Sequence, residues 1–304
     1  MDREIPKPVV GTDRLPSGER SQSDIDSNHG TVLGIDVGWS SKKPTTGLCL
    51  IEWSNQEIDV RCCQARADED DRVKKLDQLT EGRKLLCVGI DGPLIPKLEL
   101  TTQYRAVEAL LSRGKFQQRG KPSPTNGKLG QILHKQATEL ARLAINTQDI
   151  ASASHPYRIH AKAVIEAFPN AFLAVLHPDK EFPARQQVKR RWTDMLFPRV
   201  KSEIAQLLRA ILPQHNFSLD QIQGHEVIAS YLCALTALCT VFGQCVAVGD
   251  QRLGYIILPP LEFWGAATAG SGQWARDTLR DNWTSVRDQF RDTEIYQDNK
   301  PWTP

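Results

Sequence analysis

No apolar run in the 304-residue chain approaches the roughly 18 residues needed to cross a bilayer, which excludes a helical membrane span. The opening stretch, MDREIPKPVVGTDRLPSGERSQSD, lacks the apolar core of a secretory signal and predicts that none is present. Cys-x-x-Cys pairs are missing, and the seven cysteines are an odd number. Cys49, Cys87, Cys233 and Cys239 lie inside apolar runs, which predicts buried, reduced thiols in a cytoplasmic protein rather than disulfides or a zinc cage. The seven histidines show no zinc-ligand spacing. Strong charge of one sign is also lacking: at a formal +2, no bulk attraction to polyanions is expected, so any basic surface must be local. What is present is ordinary globular usage, 40% hydrophobic and 24% charged, enough for a sizeable core. The length suits one elaborated α/β domain or two smaller ones.

Residues 1–30 are rich in Pro, Ser, Asp and Gly without periodicity and predict a disordered tail. From Thr31 the segments TVLGID, GLCLIEW (47–53) and EIDVRCCQA (57–65) form three strands with short links; Ser54-Asn55-Gln56 has hairpin length. A charged helix is expected over 68–79. KLLCVGIDGP then reads as a fully buried strand, its apolar residues contiguous rather than alternating. Helices follow at about 102–113 and 131–145, then a strand within AKAVIEAFP (161–169) and helices within 186–212. Ser218 and Gln221 have capping-box spacing and predict the start of a long helix running to about 242. QCVAVGD and GYIILPP suggest a hairpin. The expected layout is a domain over 31–262 with a helical insertion at about 97–160, followed by a polar tail over 263–304 that holds one weak helix.

Four acids stand out by position. Asp36 and Asp91 each end an apolar strand just before a glycine reversal, in Asp36-Val-Gly38 and Asp91-Gly92-Pro93. If their strands are parallel neighbours, about 4.8 Å apart, the two carboxylates face the end of the sheet where α/β folds bind ligands. Close acids repel unless a cation lies between them. Mg²⁺ or Mn²⁺ is the natural occupant, and two such ions can promote phosphodiester hydrolysis. Glu166 ends the next strand and can join them. Glu226 lies in the last long helix, on a stripe of small residues (Ala229, Ser230, Cys233, Ala234, Ala237) that permits close approach to the sheet. Taken singly, each acid is equally well explained as a turn former or an ordinary helix residue. Together, three strand-end acids and one helix acid in the order β-β-β-α-β-α-β-α describe a ribonuclease H-like α/β fold: a five-stranded mixed sheet, order 3-2-1-4-5, flanked by helices.

The segments GIDVGWSSKK, GIDGPL, YRAVEALLSRG, VIEAFPNAFLAVLHPDKEF, VKRRWTDML and GHEVIASYLCALTA, spread over about 31–260, resemble domain-of-unknown-function family 429, predicted nucleases of ribonuclease H-like fold. The resemblance implies site acids at Asp36, Asp91 and Glu166, a further acid opening the last helix, and basic positions at Arg105 and Lys189. The family has Asp-Ala at that helix where this chain has His225-Glu226-Val227, so whether His225 or Glu226 faces the site is left open, with His225 a candidate proton shuttle.

Basic residues cluster around these acids. Residues 97–142 carry nine Lys/Arg against three Glu, and 185–201 carry six against one Asp. Lys42 and Lys43 beside Asp36, with Arg105, Arg119, Lys189 and Arg191, are candidate contacts to a DNA or RNA backbone, and Phe116 and Trp192 candidate base-stacking rings. A solvated helix face and loop explain the same charges. The leading expectation is a metal-dependent nuclease. Its competitors are an actin-like phosphotransferase, suggested by Gly34-Ile-Asp36-Val-Gly38 with Thr45-Thr46 and a weak second loop at 268–272, and a nucleic-acid-binding protein without turnover.

Overall fold

A computed structural model of the chain describes residues 28–95, 104–179, 182, 192–265 and 273–303. The chain begins as an antiparallel meander of β1 (His29–Asp36), β2 (Thr46–Ser54) and β3 (Glu57–Ala65). Asn55 and Gln56, at φ 49° and 67°, make the two-residue turn between β2 and β3, the pairing whose twist matches that of the strands. Asp68 caps α1 (Glu69–Thr80) by accepting the Asp71 N–H at 3.0 Å. β4 (Cys87–Asp91) returns parallel to β1, and β5 (Val164–Ala167) parallel to β4. Between them lie α2 (Ala106–Leu110) and α3 (Lys128–Thr147). Then come α4 (Pro169–Leu176), α5 (Trp192–Leu196), α6 (Lys201–Ile211) and α7 (His225–Val241). The hairpin β6 (Val246–Asp250) and β7 (Gly254–Leu258) follows, and then α8 (Gln273–Val286), β8 (Glu294–Gln297) and β9 (Lys300–Pro301).

All the strands join one mixed sheet in the order β3-β2-β1-β4-β5-β7-β6-β8-β9. The first five occupy the expected 3-2-1-4-5 order, but among the described residues the sheet has nine strands rather than five. The additional strands account for a second correction, to the polar tail expected over 263–304. Within it, α8 packs on α2 and buries Trp274, Ala275, Leu279 and Val286 in a cluster shared with β6 and β7, and β8 pairs with β6. A narrow apolar stripe among many charges is hard to see in composition, yet it is enough to dock a helix. The third difference is at α7. Its capping residue is Gly224, because Ser218 Oγ accepts the N–H of Asp220 in a turn and Gln221 Nε2 donates to the Val60 carbonyl on β3.

One core holds β1–β5, α1, α3 and α7, and a second lies between α2, α8 and the β6–β7 hairpin. Among the described residues, no helix is long and apolar enough to cross a membrane. All seven cysteines are thiols, with Cys49, Cys87, Cys233, Cys239 and Cys245 buried.

The approach of α7 to the sheet positions the site. A Cβ added at Gly34 would strike the backbone of Ser230 and Ala234, one at Gly47 the backbone of Glu226, and one at Gly89 the Cys233 carbonyl. Three strands thus omit side chains where the small-residue stripe of α7 arrives, and helix backbone rests on sheet backbone.

Candidate active site

Asp36 and Asp91 are directly paired across β1 and β4, each the last residue of its strand. Strand alternation puts them on the same face as Gly34 and Gly89, the face that carries α7. Asp36 is buried. Asp91 keeps some solvent contact, but its carboxyl is enclosed deeply enough that burial, with the charge of Glu166 second, pushes its pKa up to about 7. A neighbouring cation would reverse that cost.

The pair stands in a cleft of about 580 Å³ at the carboxyl ends of β1, β4 and β5. The loop after β1 contributes Trp39, Ser40 and Thr45 to its wall, and the start of α7 contributes both His225 and Glu226. Both of the residues between which the sequence left the choice open therefore line the cleft. His225 Nδ1 lies 2.5 Å from Thr193 Oγ1 on α5, which orients the ring. Trp39 is 59% exposed and Leu129 65% exposed, so the mouth of an acidic cleft carries an apolar rim.

Glu166 is placed differently from the other acids. It pairs with Ile90 on β4 and Ile256 on β7 and so leaves the sheet on the face opposite Asp36 and Asp91, yet it lines the same cleft at the strand ends, near enough for its charge to act on Asp91. There the Arg105 guanidinium grips it in a fork, Nη1 to Oε2 at 2.8 Å and Nη2 to Oε1 at 2.6 Å. Burial raises the Glu166 pKa, while Arg105 and the Leu94 N–H pull against that rise. Arg105 also donates Nε to Glu108 Oε1 at 2.7 Å and Nη1 to the Leu253 carbonyl at 3.1 Å. Glu108 in turn accepts from the backbone N–H of Arg105 and of Thr125, each at 3.1 Å, and from the Thr125 hydroxyl. Burial opposes the Arg105 charge, but the two carboxylates more than offset it and hold its pKa above the ordinary value. Arg105, expected to contact substrate, is thus 1% exposed and engaged with two acids, although it still borders the cleft.

The other basic candidates separate. Lys42 and Lys43 are exposed on the β1–β2 loop, beside residues that line the cleft. Arg119 lies 4.5 Å from the ring centres of both Phe182 and Trp274 and pairs with Asp179 at 2.5 Å, a clamp between α4 and α8 rather than a cleft residue. Phe116 is fully buried against Trp274, 5.3 Å between centroids, and unavailable for stacking on bases. Trp192 packs on Phe182 at 5.4 Å. Lys189 and Arg191, and the loop at 268–272, lie outside the described residues. Sequence reasoning missed Thr193, Leu129 and the Arg105–Glu108–Thr125 network, and counted Lys121 only within the basic stretch 97–142; of the network, only the i,i+3 spacing of Arg105 and Glu108 gave a signal.

Two carboxylates on adjoining strand ends suit Mg²⁺ or Mn²⁺, which is commonly held by one or two carboxylates with the remaining positions filled by water and phosphate. Among the described residues, no three His, Cys, Asp or Glu side chains are arranged to hold a metal ion by themselves. The donor chemistry of Asp36 and Asp91 therefore fits an ion completed by substrate and water. No family model matches the chain, and no curated protein or solved structure matches it either.

Proposed function

We propose that the protein is a metal-dependent nuclease of ribonuclease H-like fold that hydrolyses phosphodiester bonds of DNA or RNA. The observation that carries this reading is the direct register of Asp36 with Asp91 at the mouth of a cleft that also receives His225 and Glu226. The 3-2-1-4-5 order of the first five strands supports the fold assignment. Asp36 and Asp91 would hold Mg²⁺ or Mn²⁺, which supplies an acidified water and neutralises charge developing on the phosphate. The chain's own contribution is positional. The glycine contacts hold α7 so that Glu226 and His225 face the strand ends, and Thr193 fixes the His225 ring for proton transfer. Arg105 offsets part of the charge that Glu166 brings near Asp91.

Purified protein should cleave labelled oligonucleotides with Mg²⁺ or Mn²⁺, and Asp36→Asn should reduce the rate at least a hundredfold while leaving the circular dichroism spectrum unchanged. Full activity in that variant would remove the proposal. A second reading, a nucleic-acid-binding protein without turnover, is favoured by the capture of both Glu166 oxygens by Arg105. It predicts salt-sensitive binding and no cleavage with any divalent ion.

A further inference from the structure

A second pocket, of about 630 Å³, adjoins the cleft and is lined by Tyr104, Ala109, Ser112, Arg113, Lys121, Gln289 and Phe290. Lys121 belongs to both walls, so the two spaces meet at that side chain. The lining has a particular chemistry: two aromatic rings, two cations and two neutral polar groups, with no acid among the described residues. Both cations are exposed and have no carboxylate partner among the described residues. Lys121 Nζ stands 5.8 Å from the centre of the Tyr104 ring, and Arg113 Nη1 reaches Ser285 Oγ at 3.4 Å. A cation poised by an aromatic face, beside a second ring, is the combination that receives a base and its phosphate from a single strand. An apolar ligand would leave the cations unmatched, and a cationic one would be repelled.

We propose that this pocket is a subsite for one nucleotide of a single-stranded nucleic acid whose neighbouring phosphate lies in the Asp36–Asp91 cleft, with Lys121 contacting the phosphate between the two. The inference deepens the nuclease reading by naming an unpaired strand as substrate, and it uses α2 and the segment after α8, parts of the chain that do not contribute the acids. It also gives the C-terminal segment a role, since Gln289 and Phe290 form one wall.

The test is fluorescence anisotropy with labelled single strands of two to ten nucleotides in EDTA, run alongside the cleavage assay. For the wild type, affinity should rise steeply once the strand is long enough to fill both spaces. Arg113→Ala with Lys121→Ala should weaken the longer strands about tenfold or more and flatten the salt dependence by about 0.7 per lost phosphate contact. Tyr104→Ala should weaken the same strands about tenfold without changing the salt slope. Both cations are on the surface, so the double variant should melt with the wild type. If the wild type cleaves but these variants bind and cleave every length like it, the subsite is wrong and the nuclease stands. If the wild type never cleaves but shows this length-dependent binding, lost in the variants, the subsite stands and the nuclease falls. Equal affinity for a mononucleotide and a ten-nucleotide strand would overturn the continuous path.

Discussion

Arg105 and the carboxylates around it form the most heavily engaged group of side chains near the site. One guanidinium serves two acids, each at most 3% exposed. Such a buried set is costly to assemble and more costly to break, since losing the cation leaves two carboxylates with little solvent. Arg105→Ala should destabilise the protein by about 3–5 kcal/mol in urea unfolding, and Arg105→Lys should recover little, because a single ammonium cannot match the fork. A second residue-scale effect is at His155, which is 6% exposed and stacked on Tyr157 at 4.3 Å. Burial, with the charge of Arg158 second, lowers its pKa to about 4. The unfolded chain then takes up this proton near pH 6.5 and the folded protein only near 4. Stability contributed here is complete above pH 6.5 and declines as the pH falls toward 4, by roughly 3 kcal/mol at most. Thermal melts of His155→Phe against wild type from pH 7 to 4 should show a smaller acid loss in the variant. An equal loss would mean that His155 protonates without cost.

Helix α7 illustrates how one element decides the geometry of a site. Its small-residue stripe was legible in the sequence, because Ala229, Ser230, Cys233, Ala234 and Ala237 recur at helical spacing. The complementary glycines were not, since Gly34, Gly47 and Gly89 are far apart in the chain and meet only once β1, β2 and β4 are side by side. Gly89→Ala places a methyl group against the Cys233 carbonyl, which is backbone and cannot turn aside. We expect a loss of roughly 1–3 kcal/mol and, as α7 lifts, a fall in any activity that needs Glu226. Chemical unfolding together with the oligonucleotide assay measures both. Glu166 carries the opposite lesson. Its place near a strand end suggested a third ligand; it does line the cleft, but a one-residue offset from Asp91 turns it toward Arg105, which engages both its oxygens.

At the scale of the molecule, the sheet continues past the five expected strands through β7, β6, β8 and β9, and α8 packs on α2, which itself lies against β6 and β7. Removing residues 266–304 would discard Trp274, Leu279, Val286 and Ile295 from the cluster that also holds Val246, Val248, Ile256 and Leu258, and would expose the α2 surface beneath α8. At about 1.5–3 kcal/mol for each fully buried apolar side chain, the loss is comparable to the whole stability of a domain. The truncated chain should be insoluble or lack a cooperative melt, which expression and calorimetry would reveal; a soluble fragment with the parental melting temperature would contradict the packing.

The sequence by itself determined the strand-forming runs, the glycine reversals after Asp36 and Asp91, and the order that brings β1 beside β4, because contiguous apolar residues and turn chemistry are local properties. Only the tertiary structure decided which face each acid uses, that Arg105 is held by Glu166 and Glu108, and that the charged C-terminal segment completes the sheet. Apart from the i,i+3 spacing of Arg105 and Glu108, those outcomes depend on register and on side chains far apart in the chain meeting out of water, and neither leaves a local trace.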